Sequence, residues 1–140
     1  SLDDVHTKFS LLFPKITFEK DYFQEFFIAY ATAALWFSND DDDIPLDSNF
    51  SIDDFDDDAR QKLENDCRAF LEKAKDFILN DKRHQNPFDQ AGHDFWLTRQ
   101  GHGVGFWDGD WDEPAATELT ELSNEFGEFY LYVIGDKIGA

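Results

Sequence analysis

A single cysteine, Cys67, stands in 140 residues. It excludes an internal disulfide framework and a cysteine-based zinc site, and a reducing compartment follows most simply. Long apolar runs are missing too. The longest near the N-terminus, residues 26–37, is too short to cross a bilayer, and no stretch resembles a signal peptide. The expectation is a cytoplasmic protein. Basic residues are scarce: 12 Lys and Arg stand against 31 Asp and Glu, for a formal net charge of −19. Such a chain repels nucleic acid and anionic membranes and attracts basic surfaces. The largest basic surfaces in a cell are those that bind nucleic acid.

Other absences remove enzyme classes. No serine sits in a Gly-x-Ser-x-Gly turn. Gly101-x-Gly103-x-Gly105 lacks the spacing of a phosphate loop and the helix that should follow one. No His-Glu-x-x-His pair occurs, and no basic surface interleaved with aromatics supports direct nucleic-acid binding. Nothing in the chain calls for a cofactor.

Aromatic residues are abundant: 16 Phe, 4 Trp and 4 Tyr. They supply enough apolar area for a real core, so the chain is expected to fold as one acidic domain over residues 1–140 rather than remain a disordered tail. In residues 1–17, Phe9, Leu12, Phe13 and Ile16 are scattered anchors, and Pro14 with the β-branched Ile16-Thr17 disfavours one long helix. A helix is predicted over residues 18–37, where Phe23, Phe26, Phe27, Tyr30, Ala34 and Phe37 recur at helical spacing. A second is predicted over residues 56–80, with Ala59, Leu63, Cys67, Phe70, Ala74 and Phe77 on one stripe and Glu64, Asp66, Glu72, Lys73 and Asp76 on a solvated face. Cys67 then reads as a small core residue.

After the polar connector 81–92 the pattern changes. Residues 93–98 read as a strand, residues 99–103 as a turn, and residues 104–107 as a returning strand. Pro114 suits the first position of a third helix with Leu119, Leu122 and Phe126 on its apolar face, closed by Gly127. Residues 129–134 form a strand, Gly135-Asp136 a turn, and Lys137-Ile138 pair back. The expected class is α+β: a helical N-terminal half, then a small antiparallel sheet with one further helix.

Two segments hold the concentrated acid. Residues 38–58 carry ten acidic residues and no Lys or Arg: Asp40, Asp41, Asp42, Asp43, Asp47, Asp53, Asp54, Asp56, Asp57 and Asp58. Asp108, Asp110 and Asp112 form the second patch. The latter three resemble the opening of a calcium loop, but Glu113 replaces the required glycine and Leu119 the twelfth-position glutamate, which excludes an EF-hand. Carboxylates three or four residues apart on a helix lie about 5–6 Å apart. An array of them approaches the charge density of a DNA strand, about one charge per 3.4 Å. Trp36, Trp107 and Trp111 adjoin these clusters, either as partner-binding anchors or as ordinary packing residues. One joint surface requires the fold to bring both segments together; otherwise the charge serves solubility, and the region from His93 to Trp107 is the better place to look. The alternative chemistry is a metal-assisted hydrolase or nucleotide-processing enzyme using His93 and His102 with Asp94 or a nearby carboxylate. Strand alternation would point His93 and Asp94 apart, and a structural role for both histidines is the simpler reading.

The run Ala91-Gly92-His93-Asp94-Phe95-Trp96-Leu97-Thr98-Arg99-Gln100-Gly101-His102-Gly103-Val104-Gly105-Phe106-Trp107-Asp108 resembles a recurring segment of small acidic proteins encoded by tailed bacteriophages. Ala34-Leu35-Trp36-Phe37-Ser38, Pro45-Leu46-Asp47, Glu113-Pro114-Ala115-Ala116-Thr117 and Leu131-Tyr132-Val133 extend the likeness over roughly two-thirds of the chain. The resemblance implies a phage origin and an infected host cell as the setting, and carries no catalytic residues with it. Together with the charge, it leads to the expectation of a DNA mimic that occupies the basic groove of a host DNA- or RNA-binding protein: a restriction, CRISPR, polymerase or nucleoid factor. A phage structural or replication-accessory role is the other interaction reading.

Overall fold

The computed structural model describes residues 14–101 and 104–140, with side chains from Tyr22 onward. The anchors expected at Phe9, Leu12 and Phe13, and the residues His102 and Gly103, lie outside the described residues. The class is α+β. The elements run α1 (Pro14–Trp36), two 3-10 turns (Leu46–Ser48 and Ile52–Asp54), α2 (Asp57–Leu79), α3 (Pro87–Arg99), α4 (Ala115–Phe126), β1 (Tyr132–Ile134) and β2 (Lys137–Gly139). Helix α1 begins four residues before its expected start, because proline in the first turn forfeits only an N–H that has no helical acceptor there.

Helix α2 follows its stripe through Ala59, Leu63, Cys67, Phe70 and Ala74, all buried, but Ile78 rather than the half-buried Phe77 completes it. Its N-cap is Asp56, whose Oδ1 accepts the Ala59 N–H at 2.7 Å. Helices α1 and α2 run antiparallel. Arg68 lies over Phe23, Arg60 lies over Phe27, and Phe26 stacks on Phe70 at 5.6 Å between ring centroids. Phe70 is the hub of the core, stacked also on Phe95 at 4.1 Å and Phe106 at 5.9 Å. Each such ring removed from water contributes about 1.5–3 kcal/mol.

The predicted 93–107 hairpin is overturned. Residues 93–99 belong to α3, and residues 104–107 are loop. Helix α3 runs parallel to α1, with Tyr22 stacked on Phe88 and Tyr30 on Phe95. It is enclosed on nearly every side: Phe88, Ala91, Gly92 and all of residues 94–99 are buried. A helix without a solvent face shows no amphipathic period, and its run of large apolar residues resembles that of a strand. The loop after α3 returns to the core through Phe106. The Phe106 N–H donates to Thr98 Oγ1 at 3.1 Å, and Gly105 lies against Thr98 at φ +144°, a conformation that side chains rarely tolerate.

The sheet is the C-terminal hairpin, two antiparallel strands with Val133 opposite Ile138. Ile138 is fully buried, and its carbonyl accepts the Asp56 N–H at 2.8 Å. The hairpin is thereby fastened at the start of α2.

Candidate functional site

The two acidic segments are not brought together. Residues 53–58 lie at the N-terminal end of α2. Residues 40–43 follow the C-terminal end of α1, and the antiparallel packing places that end beside the start of α2. The second patch lies at the other end of α2: Arg83 Nη1 donates to the Gly109 carbonyl at 2.8 Å and meets Asp112 at 3.4 Å, and His84 packs on Trp111. The 23 residues of α2 separate the two ends by about 33 Å. Asp108, Asp110 and Asp112 thus form a separate patch, beside the cations Lys82 and Arg83.

Several carboxylates of the first segment are engaged in shaping the chain. Asp40 Oδ1 accepts the N–H groups of Asp42 and Ile44, at 2.9 and 3.0 Å, and folds the loop back on itself. Asp43, at φ 65°, takes a hydrogen bond from the Asn39 amide. Asp54 accepts the Ser51 N–H at 2.8 Å and closes a capping box. Asp56 caps α2. The outward-facing remainder is Asp41, Asp42, Asp47, Asp53, Asp57 and Asp58, all exposed; Asp58 also meets Lys62 at 3.3 Å. An Asp56→Ala variant is therefore expected to lose about 1 kcal/mol of stability through the lost cap. Asp57→Asn should lose less, since it gives up only a favourable charge near the helix dipole. Urea denaturation of both variants checks this order; an equal loss would mean that Asp56 has no special role.

The tryptophans divide. Trp36 is 62% exposed and Trp107 is 54% exposed. Trp111, expected as a partner-binding residue, is 3% exposed and belongs to the core. Its indole N–H donates to Asp94 Oδ2 at 2.8 Å, and its ring meets Phe106 edge-on. The acidic flanks of Trp111 gave no sign of this burial.

His93 and Asp94 are helical neighbours rather than strand neighbours. Asp94 turns inward, where Gln90 and Trp111 bond its carboxylate, while His93 stays half-exposed with Nδ1 3.5 Å from Asp94 Oδ1. The expected separation of the two side chains does not hold. Among the described residues no three His, Cys, Asp or Glu side chains converge as a metal site would need. Cys67 is buried, and burial raises its thiol pKa well above the ordinary value, which leaves it an inert packing group.

Sequence reading missed two features. Arg99, assigned to a turn, is a buried cation. Its guanidinium donates to Asp66 Oδ2, the Tyr30 hydroxyl and the Gly127 carbonyl, each at 2.8 Å, and to the Phe126 carbonyl at 3.1 Å. Asp66 accordingly leaves the solvated face expected for it. Burial pushes the Tyr30 phenol pKa far upward, against the opposing pull of Arg99. The second feature is a cleft of about 290 Å³ between α1 and α3, lined by Thr32, Ala33, Trp36, Phe37 and His93. The four-residue spacing of Thr32 and Trp36, which sets them on one face of α1, is the sequence signal for it.

Among the described residues no helix is long and apolar enough to cross a membrane. No protein-family model, curated protein or solved structure matches the chain.

Proposed function

We propose that this protein is an interaction protein whose acidic end, at the junction of α1 and α2, occupies the basic nucleic-acid-binding surface of another protein. The observation that carries the reading is the gathering of outward carboxylates at that end. Asp41, Asp42, Asp53, Asp57 and Asp58 are exposed, and residues 38–58 contain no Lys or Arg, although Lys62 of α2 meets Asp58. Capping and turn bonds from Asp40, Asp54 and Asp56 hold the backbone, so the charges ride on a defined scaffold. A basic groove that receives them releases its counterions as it would for DNA. The patch at Asp108, Asp110 and Asp112 lies at the other end of α2, so the joint surface expected from the sequence does not form, and the reading rests on the first segment alone. The resemblance to tailed-phage proteins favours a host nucleic-acid-binding protein as the partner, met in the infected cell.

The test keeps the scaffold and removes the charge. A variant with Asp41, Asp42, Asp53, Asp57 and Asp58 changed to Asn retains Asp40, Asp54 and Asp56. Immobilised native protein should capture a nucleic-acid-binding protein from bacterial lysate, and both added salt and competing duplex DNA should release it. The five-fold variant should capture little of it. A captured protein that DNA does not displace, and that the variant holds equally well, would refute the proposal.

A further inference from the structure

We infer that the cleft between α1 and α3 receives a bulky apolar side chain carried on a Lys/Arg-bearing segment of the partner. The inference rests on the acidic-end reading and names how that partner is gripped. Trp36, the last residue of α1, stands at the cleft with Phe37, whose ring meets the His93 ring edge-on at 5.9 Å. Thr32 and Ala33 are small and leave room between the rings. A second depression of about 260 Å³ shares Thr32 and His93 and continues past Ile28 to Asp89. The cleft at Trp36 is apolar and the adjoining depression is mixed, with Asp89 and Gln90 in its lining; the exposed aromatic residues of the cleft are of the kind that dominates protein interfaces when desolvated.

Charge decides the occupant. From Phe26 to Asp58 there is no Lys or Arg, and in α3 none precedes the buried Arg99. Both walls of the groove therefore lack a cation of that kind. Asp89 lies at one end, and the loop of residues 40–43 follows directly on Trp36 and Phe37. A second copy of this chain, at net charge −19, would be repelled from such a surface. A basic segment with an apolar side chain satisfies both the groove and its acidic surroundings. Carboxylates would then draw the partner in, and the cleft would separate it from other basic surfaces.

Two synthetic peptides with the same number of lysines test this by calorimetry: an amphipathic Lys/Leu peptide and oligolysine. The Lys/Leu peptide should bind about tenfold tighter or more, as burial of one leucine side chain allows. In Trp36→Ala and in Thr32→Gln, both at exposed positions, the ratio of the two affinities should fall towards one. Equal affinities for the two peptides in the native protein, or a ratio unchanged in both variants, would overturn the inference. Oligolysine binding that the five Asp→Asn changes abolish, with no added gain from leucine, would leave the acidic end standing and remove the cleft. Binding of neither peptide would remove both.

Discussion

Replacing Arg99 by methionine is expected to cost about 3–5 kcal/mol of stability, the usual scale for deleting one member of a buried ion pair. Three separate losses combine. The Asp66 carboxylate loses its partner, although its 30% side-chain exposure lets water recover part of that loss. The Phe126 and Gly127 carbonyls, at the C-terminal end of α4, lose their donors; both bonds are only part-buried, so water recovers some of the about 1–3 kcal/mol that a fully buried acceptor would cost. A cation also disappears from the negative end of a helix dipole. The guanidinium further lies over the rings of Phe95, Phe126 and Phe129, at 5.5, 5.6 and 5.1 Å. Methionine can fill some of that volume but makes none of the hydrogen bonds. Arg99→Lys should fall between, because one ammonium cannot reach four acceptors set around a planar fork. Asp66→Asn should cost less than Arg99→Met, since its site is partly wet. Urea unfolding with an unchanged slope measures all three variants. A loss below about 1 kcal/mol for Arg99→Met would mean that the hub does not hold α4 to the core.

Gly92→Ala should destabilise the protein even though alanine is the better helix former by about 1 kcal/mol. A Cβ at position 92 would lie 2.2 Å from the Phe26 carbonyl oxygen and 3.0 Å from the Ala29 Cβ. The first obstacle is backbone, so α1 and α3 must move apart for the methyl group to fit. Overpacking of this kind costs typically about 1–3 kcal/mol. Gly92→Val should cost more. The same displacement would widen the cleft at Trp36, Phe37 and His93, one residue along α3. The ratio of Lys/Leu peptide to oligolysine affinity should therefore fall in Gly92→Ala while oligolysine alone still binds. Stability equal to or above that of the native chain would show that the helices yield at this contact without penalty.

Both positions mark where sequence reasoning stopped. Arg99 followed a stretch read as strand and preceded a glycine-rich run, so it was placed in a turn. Gly92 closes the segment that reads as a polar connector. Yet Phe88, Ala91, Gly92, Phe95, Trp96 and Arg99 do recur at helical spacing. That signal was masked because α3 is buried nearly all round, so apolar residues fill the positions between as well. The core tryptophan Trp111 was hidden for a related reason. Its flanking aspartates indicated a solvated loop, while its own side chain bonds to Asp94 in another element.

By itself the sequence determined the charge, the supply of aromatic residues for a core, the span of α2, the helix before Gly127 and the terminal hairpin. The charge and the aromatic supply are composition; the helices and the hairpin rest on interactions between residues a few positions apart, and local pattern reports them. The tertiary structure alone decided which helix is central, which carboxylates are free and which tryptophans are exposed. It also decided that the two acidic segments lie at opposite ends of α2. Each of these depends on contacts between residues distant in the chain: Arg99 with Tyr30, Asp66 and Gly127; Gly92 with Phe26; Trp111 with Asp94. No local period encodes such contacts, because they exist only once the helices have packed.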